Sequence, residues 1–106
     1  MPMLEITRTE EPKGLRIEGD VDLSTVEKFR MALAPMVHDG GDIVLDVSDM
    51  QFIDSSGAQV LIGALEDLDD RGRLLLVRPR RMVVRMVKVM GLERFENLEV
   101  REDGST

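Results

Sequence analysis

Cysteine is absent from the 106-residue chain, so neither a disulfide framework nor a thiolate metal site is available. Tryptophan and tyrosine are absent too, and three phenylalanines are the only aromatic residues. Little is left on which a nucleic acid base could stack. No apolar run approaches the ~18 residues that cross a bilayer, and residues 1–20 lack the basic-then-apolar pattern of a signal peptide. A cytoplasmic chain with no membrane insertion is therefore expected. Positive charge is in deficit: 14 Lys and Arg against 21 Asp and Glu give a net charge of −7, which repels the phosphate backbone of nucleic acid. No Gly-rich phosphate loop occurs, so no nucleotide or other cofactor is expected.

What the chain does contain is a core. Apolar residues make up 42% and charged residues 33%, a globular rather than a disordered balance. The length suits one domain spanning residues 1–106. Charge is unevenly placed. Residues 1–70 carry 5 basic and 16 acidic side chains, whereas residues 71–94 carry 8 basic and 1 acidic. The split reads either as a solvated helix face plus strand ends or as a bipolar surface that orients a charged protein partner.

The hydrophobic pattern reads as alternating strands and helices. Leu4-Glu5-Ile6-Thr7 and Leu15-Arg16-Ile17-Glu18-Gly19 alternate apolar and polar around the turn signal Glu11-Pro12-Lys13-Gly14, predicting a hairpin-like pair. Ser24 with Glu27 three residues on forms a capping-box sequence. Val26, Phe29, Leu33 and Val37 follow at helical spacing, predicting a helix from Thr25 to at least Ala34, which Pro35 kinks or ends. After Gly40-Gly41, Ile43-Val44-Leu45-Asp46-Val47 predicts a strand largely buried on both faces. Ala58, Leu61, Leu65 and Leu68 make the inward stripe of a second helix, stopped at Gly72. Leu74-Leu75-Leu76-Val77 predicts a central parallel strand. Pro79 suits the first turn of a third helix, with Met82, Val83, Met86, Val87 and Met90 inward and Arg80, Arg81, Arg85 and Lys88 outward. Gly91 closes that helix. Leu98-Glu99-Val100 predicts a last edge strand, and residues 103–106 are expected to fray. The result is an α/β domain with a mixed β-sheet of four to five strands and three to four helices.

The segment with chemistry is Asp54-Ser55-Ser56-Gly57, where an apolar strand gives way to an amphipathic helix. Helix N-termini expose unpaired N–H groups and about half a positive charge, so they favour anions. A serine there either caps the helix or, once phosphorylated, holds its phosphate near those donors. Gly57 leaves room for an approaching kinase or partner backbone. Capping by Asp54 or Ser55 alone is the competing reading.

Taken with its surroundings, this segment resembles the phosphorylation motif of the STAS domain family (sulphate transporter and anti-sigma factor antagonist). Gly19-Asp20-Val21-Asp22 is similar to the element that ends the second strand in that family. Ile43-Val44-Leu45-Asp46-Val47 with Phe52-Ile53 is similar to its central strand, and Met90-Gly91-Leu92-Glu93-Arg94-Phe95 to the close of its third helix. The resemblance implies that Ser56 is the phosphoacceptor, supported by Asp54, Ser55 and Gly57. It also implies a partner surface of Asp22, Ser24, Ser55, Ser56, Gly57 and Ala58. The partner implied is an anti-sigma factor with serine kinase activity, bound by the unphosphorylated protein and released on phosphorylation; a serine phosphatase resets the cycle. Oligomeric state stays open between monomer and weak dimer. Two departures from the family pattern, Ala58-Gln59 for Leu-Gly and Met90 for Ser or Thr, bear on the partner more than on the fold.

Other readings are weaker. An enzyme lacks a base near the serine, because His38 is the only histidine and no Gly-x-Ser-x-Gly elbow occurs. Asp46, Asp49 and Asp54 have no metal-ligand spacing, and no metal site is expected. A two-component receiver would need a lysine where residues 78–81 read Arg-Pro-Arg-Arg. The live alternative is a STAS module whose serine is never modified, docking on a membrane transporter or another signalling assembly.

Overall fold

The two alternating segments at the start of the chain fold back on each other. β1 (Leu4–Glu10) and β2 (Lys13–Val21) run antiparallel across Glu11-Pro12, with Ile6 opposite Ile17. The computed structural model describes residues 4–102, and the fraying expected at 103–106 lies outside the described residues. From β2 onward the chain repeats one move, strand then helix then parallel strand. α1 (Val26–Asp39) leads to β3 (Ile43–Ile53), and α2 (Ser55–Leu68) with a 3-10 turn at Asp69–Arg71 leads to β4 (Leu74–Val77). α3 (Arg81–Val89) and a second 3-10 turn at Leu92–Arg94 lead to β5 (Leu98–Arg101).

The five strands lie in sequence order, β1 to β5, with β1–β2 antiparallel and every other pair parallel. Each crossover steps to the next strand in the same direction, so crossovers of one hand put every helix on one face. The core agrees. Phe29, Leu33 and Met36 of α1, Leu61, Leu65 and Leu68 of α2, and Val83 and Val87 of α3 join Leu15, Ile17, Leu45, Val47, Leu74 and Leu76 in one buried cluster. Phe29 is fully buried, worth about 1.5–3 kcal/mol relative to exposure. The opposite sheet face carries ion pairs instead, among them Arg16–Asp49, Arg78–Asp46 and Arg73–Asp42. Met82, Met86 and Met90 pack against the core as expected.

Four expectations change. β3 is longer than predicted, its second half pairing only with β2 while β4 covers Ile43 to Asp46, and its burial alternates because the helices cover one face of the sheet and leave the other open. Against β2 it carries an extra residue at two points, between Asp46 and Asp49 and between Met50 and Phe52, and beside the second, Gly19 of β2 takes φ 108, a conformation costly for any residue with a side chain. α1 runs on through Pro35 to Asp39, since burying Met36 and Val37 outweighs the hydrogen bond lost there. The capping box does not form: α1 has Thr25 at its cap, Ser24 Oγ donates to Asp22, and Glu27 pairs with Arg30. An ionised carboxylate two residues upstream draws both donors of Ser24 away from the helix. Pro79 precedes α3 rather than opening it, because Arg80 stays extended with its guanidinium on the Ser48 carbonyl and near Asp49. Gly91, at φ 72, ends α3 as expected.

Candidate functional site

β2 and β3 stop level with each other. Val21 lies opposite Ile53, and the Asp54 N–H donates to the Val21 carbonyl at 3.1 Å. Both strands then end in aspartate followed two residues later by serine, and the two turns share one geometry. Asp54 Oδ1 accepts from the Ser56 N–H at 2.9 Å, the Gly57 N–H at 3.3 Å and Ser56 Oγ at 2.5 Å. Asp22 Oδ1 accepts from the Ser24 N–H at 2.9 Å and Ser24 Oγ at 2.6 Å, while the Thr25 hydroxyl donates to the Asp20 carbonyl at 2.7 Å. Short polar side chains favour this local bonding over regular structure, which is why both sequences form turns at helix starts.

The electrostatics follow from the bonding. The Ser56 hydroxyl holds the Asp54 carboxyl below the usual aspartate range; the Gly57 and Ser56 N–H groups add to this, while desolvation and the nearby Asp22 charge oppose it. Asp22 is likewise held low, chiefly by the Ser24 hydroxyl. Two ionised carboxylates thus sit side by side at the mouth of α2. Asp54 is the N-cap of that helix, and Ser56 lies in its first turn. Ser55 is exposed and Ser56 half-buried, with its hydroxyl proton committed to Asp54.

The expected residues separate into two groups. Asp22, Ser24, Ser55 and Ser56 gather at one corner of the domain with Asp54 beneath them. Gly57 and Ala58 face the interior, and Ala58 is only 1% exposed. A side chain at Gly57 would begin 2.6 Å from Ile53 Cγ1 and 2.7 Å from Val21 Cγ1, so this glycine lets α2 pack on the strand ends rather than clearing space for an approaching protein. Asp46 pairs with Arg78, Asp49 with Arg16, and Asp54 caps α2. His38 is exposed near the end of α1, away from the serines.

Two residues at this corner were not singled out from the sequence. Leu23, between Asp22 and Ser24, is 82% exposed, and Phe52 is 40% exposed two residues before Asp54. The signal for Leu23 was available, since a large apolar residue inside an Asp-x-Ser-Thr turn has no core to enter. Exposed apolar side chains beside charged groups are the composition of a protein interface. A separate groove of about 380 Å³ runs between α1 and α2, floored by Leu33, Val37 and Ala64 and bordered by Gln59. Among the described residues no helix is long and apolar enough to cross a membrane.

A one-faced α/β sheet with a capped serine at the start of its second helix defines a class, and the comparisons name it. The family model described as "Mlab, STAS domain" matches residues 4–100, and the chain belongs to the STAS domain family. It is 22% identical over 102 residues to an anti-sigma-B factor antagonist of Bacillus subtilis, covering 95% of this chain and 94% of that one. Its fold matches an anti-sigma factor antagonist from Mycobacterium paratuberculosis, with TM-score 0.72 and 19% identity, over 91% of this chain and 83% of the other. The fold also matches the anti-sigma factor antagonist SpoIIAA in its unphosphorylated form, with TM-score 0.64 and 21% identity, over 92% and 86% of the two chains. SpoIIAA in the phosphorylated form matches at TM-score 0.59 and 22% identity, over 92% and 89%.

Proposed function

We propose that this chain is an anti-sigma factor antagonist whose affinity for an anti-sigma factor is switched by phosphorylation of Ser56. The observation that carries the reading is the placement of Ser56: half-buried in the first turn of α2, beside exposed Ser55, with its hydroxyl donating to Asp54. Asp54 orients that hydroxyl and leaves the oxygen lone pairs free for an incoming phosphoryl group. It is a poor proton acceptor, because a carboxyl held below its ordinary range does not match a general base at neutral pH. The ATP and the phosphoryl-transfer machinery belong to the anti-sigma factor acting as kinase, and a serine phosphatase removes the group.

Phosphoserine carries about −1.5 to −2 charge at neutral pH and has no proton to offer Asp54. Its attraction to the helix N-terminus is worth at most about 2 kcal/mol and is opposed by Asp54 and Asp22 on either side. The contact surface of Asp22, Leu23, Ser24, Ser55 and Phe52 then presents an added dianion to the partner. A hundredfold loss of affinity needs about 2.7 kcal/mol, and juxtaposed like charges at an interface cost several kcal/mol. No refolding is required.

The test is phosphoryl transfer from radiolabelled ATP by the purified cognate anti-sigma kinase. Wild type should be labelled and Ser56→Ala should not; equal labelling of the two would reject the site. A second reading is favoured by Gln59 on the exposed side of α2 and by the Mlab description of the matching family model. In it the same corner docks on a transporter or other assembly, with Ser56 never modified. Affinity purification from the native cell separates the two, since an anti-sigma factor is recovered only in the first.

A further inference from the structure

Nearly all the basic side chains of this acidic chain are in use. Arg16, Arg73, Arg78 and Arg101 pair with carboxylates across the open sheet face. The others, from Arg8 to Arg94, likewise donate to a carboxylate or a backbone carbonyl. Three are the exception. Among the described residues Arg81, Arg85 and Lys88 have neither an ion pair nor a hydrogen bond, and all three are exposed. They stand at i, i+4 and i+7 of α3, which places them on one stripe about 10 Å long. Val89 follows Lys88 and is 73% exposed.

Helix stability does not account for this stripe. Arg81 lies in the first turn of α3, at the positive end of the helix dipole, where an acid is favoured and none is present. Arg81 and Arg85 are like charges four apart, which weakens a helix. Only Lys88, in the last turn, suits the dipole. A cationic row that works against its own helix and is paired with no carboxylate among the described residues of a chain of net charge −7 points to a partner elsewhere.

We propose that the α3 stripe of Arg81, Arg85 and Lys88 is a second docking surface, which takes an acidic segment of a protein partner. Its dimensions select the occupant. Three cations over about 10 Å match a short run of Glu and Asp, whereas duplex nucleic acid or an anionic bilayer extends far beyond one helix and meets the remaining negative surface of this chain. Exposed Val89 beside the stripe adds an apolar contact of the kind a peptide supplies. The surface is distinct from the Ser56 corner and goes beyond the switch proposed there.

The test uses the whole chain and an octaglutamate peptide as probe, followed by amide chemical-shift perturbation in low salt and again in 0.3 M salt. Shifts should concentrate on residues 81–89, and the affinity should fall at least tenfold in the triple variant Arg81→Gln, Arg85→Gln, Lys88→Gln. It should also fall with salt and be unchanged in Ser56→Glu, which distinguishes this surface from the phosphosite. The triple variant should melt no lower than wild type, because glutamine removes both helix conflicts. Shifts absent from α3, or affinity retained in the triple variant, would overturn the proposal, as would a lowered melting temperature. Tighter capture by phosphatidylserine vesicles or a DNA duplex, lost in the triple variant, would overturn the choice of occupant.

Discussion

Removing the carboxylate of Asp54 tests whether the serine corner is built by its cap. Asp54 Oδ1 serves two backbone donors of the first turn of α2 and the hydroxyl of Ser56. Replacing an N-cap aspartate by alanine costs about 0.5–2 kcal/mol; with charge-assisted bonds in play the upper half of that range applies, about 1–2 kcal/mol. For a domain of this size each kcal/mol moves Tm by roughly 4–8 °C. Asp54→Asn keeps an acceptor oxygen in place and should lose less than about half of that, because asparagine caps as well as aspartate. The pH dependence has a definite sign. The folded carboxyl titrates below its ordinary value of 3.8, so its stabilisation is complete above that value and fades as pH falls through the lower folded value. Urea unfolding of wild type, Asp54→Ala and Asp54→Asn should therefore show a gap between wild type and alanine that is constant from pH 6 to 8 and narrows below pH 4. Equal stability of wild type and Asp54→Ala at pH 7, or a gap that widens in acid, would refute the capping account.

Other consequences are more direct. Pro35 is exposed inside α1, where proline costs about 3 kcal/mol relative to alanine, partly offset by about 0.4–1 kcal/mol from its stiffer unfolded chain. Pro35→Ala should therefore raise stability by roughly 2–2.6 kcal/mol, seen as a higher urea midpoint at unchanged slope. Leu23 has almost no folded-state packing to lose, so Leu23→Ala should leave stability within about 0.5 kcal/mol of wild type. The same change should weaken anti-sigma factor binding by about 1 kcal/mol or more in calorimetric titration if Leu23 is an interface anchor.

Much of this fold was legible because its periodicities are clean. Leu15-Arg16-Ile17 alternates, Phe29, Leu33 and Val37 recur at helical spacing, and Leu74 to Val77 is uninterrupted, so each element announced the face it buries. What failed did so where two local rules compete. Ser24 reads as a cap until Asp22 is seen to capture both its donors, and that choice depends on the chain reversing after Val21. Pro35 left open whether α1 kinks or ends, although Val37 already lay on its apolar stripe, and the burial of Met36 beside it is a tertiary fact. Ser48, Asp49 and Gln51 interrupt the apolar pattern and hid the second half of β3, whose only strand partner there is β2. At the site, the Asp54-Ser55-Ser56-Gly57 sequence located the helix start correctly, but the inward aim of Gly57 is a tertiary fact set by Val21 and Ile53. Leu23 could have been found from its place inside a polar turn, whereas the exposure of Phe52 is visible only once the core has been filled.

The central claim is that negative charge at residue 56 evicts a protein bound to this corner. Isothermal titration of the cognate anti-sigma factor into wild type, Ser56→Ala and Ser56→Glu measures this, with circular dichroism showing that all three are folded. The account predicts wild-type affinity for Ser56→Ala within a few-fold and at least a hundredfold loss for Ser56→Glu, about 2.7 kcal/mol. A Ser56→Glu protein that binds as tightly as wild type would contradict it.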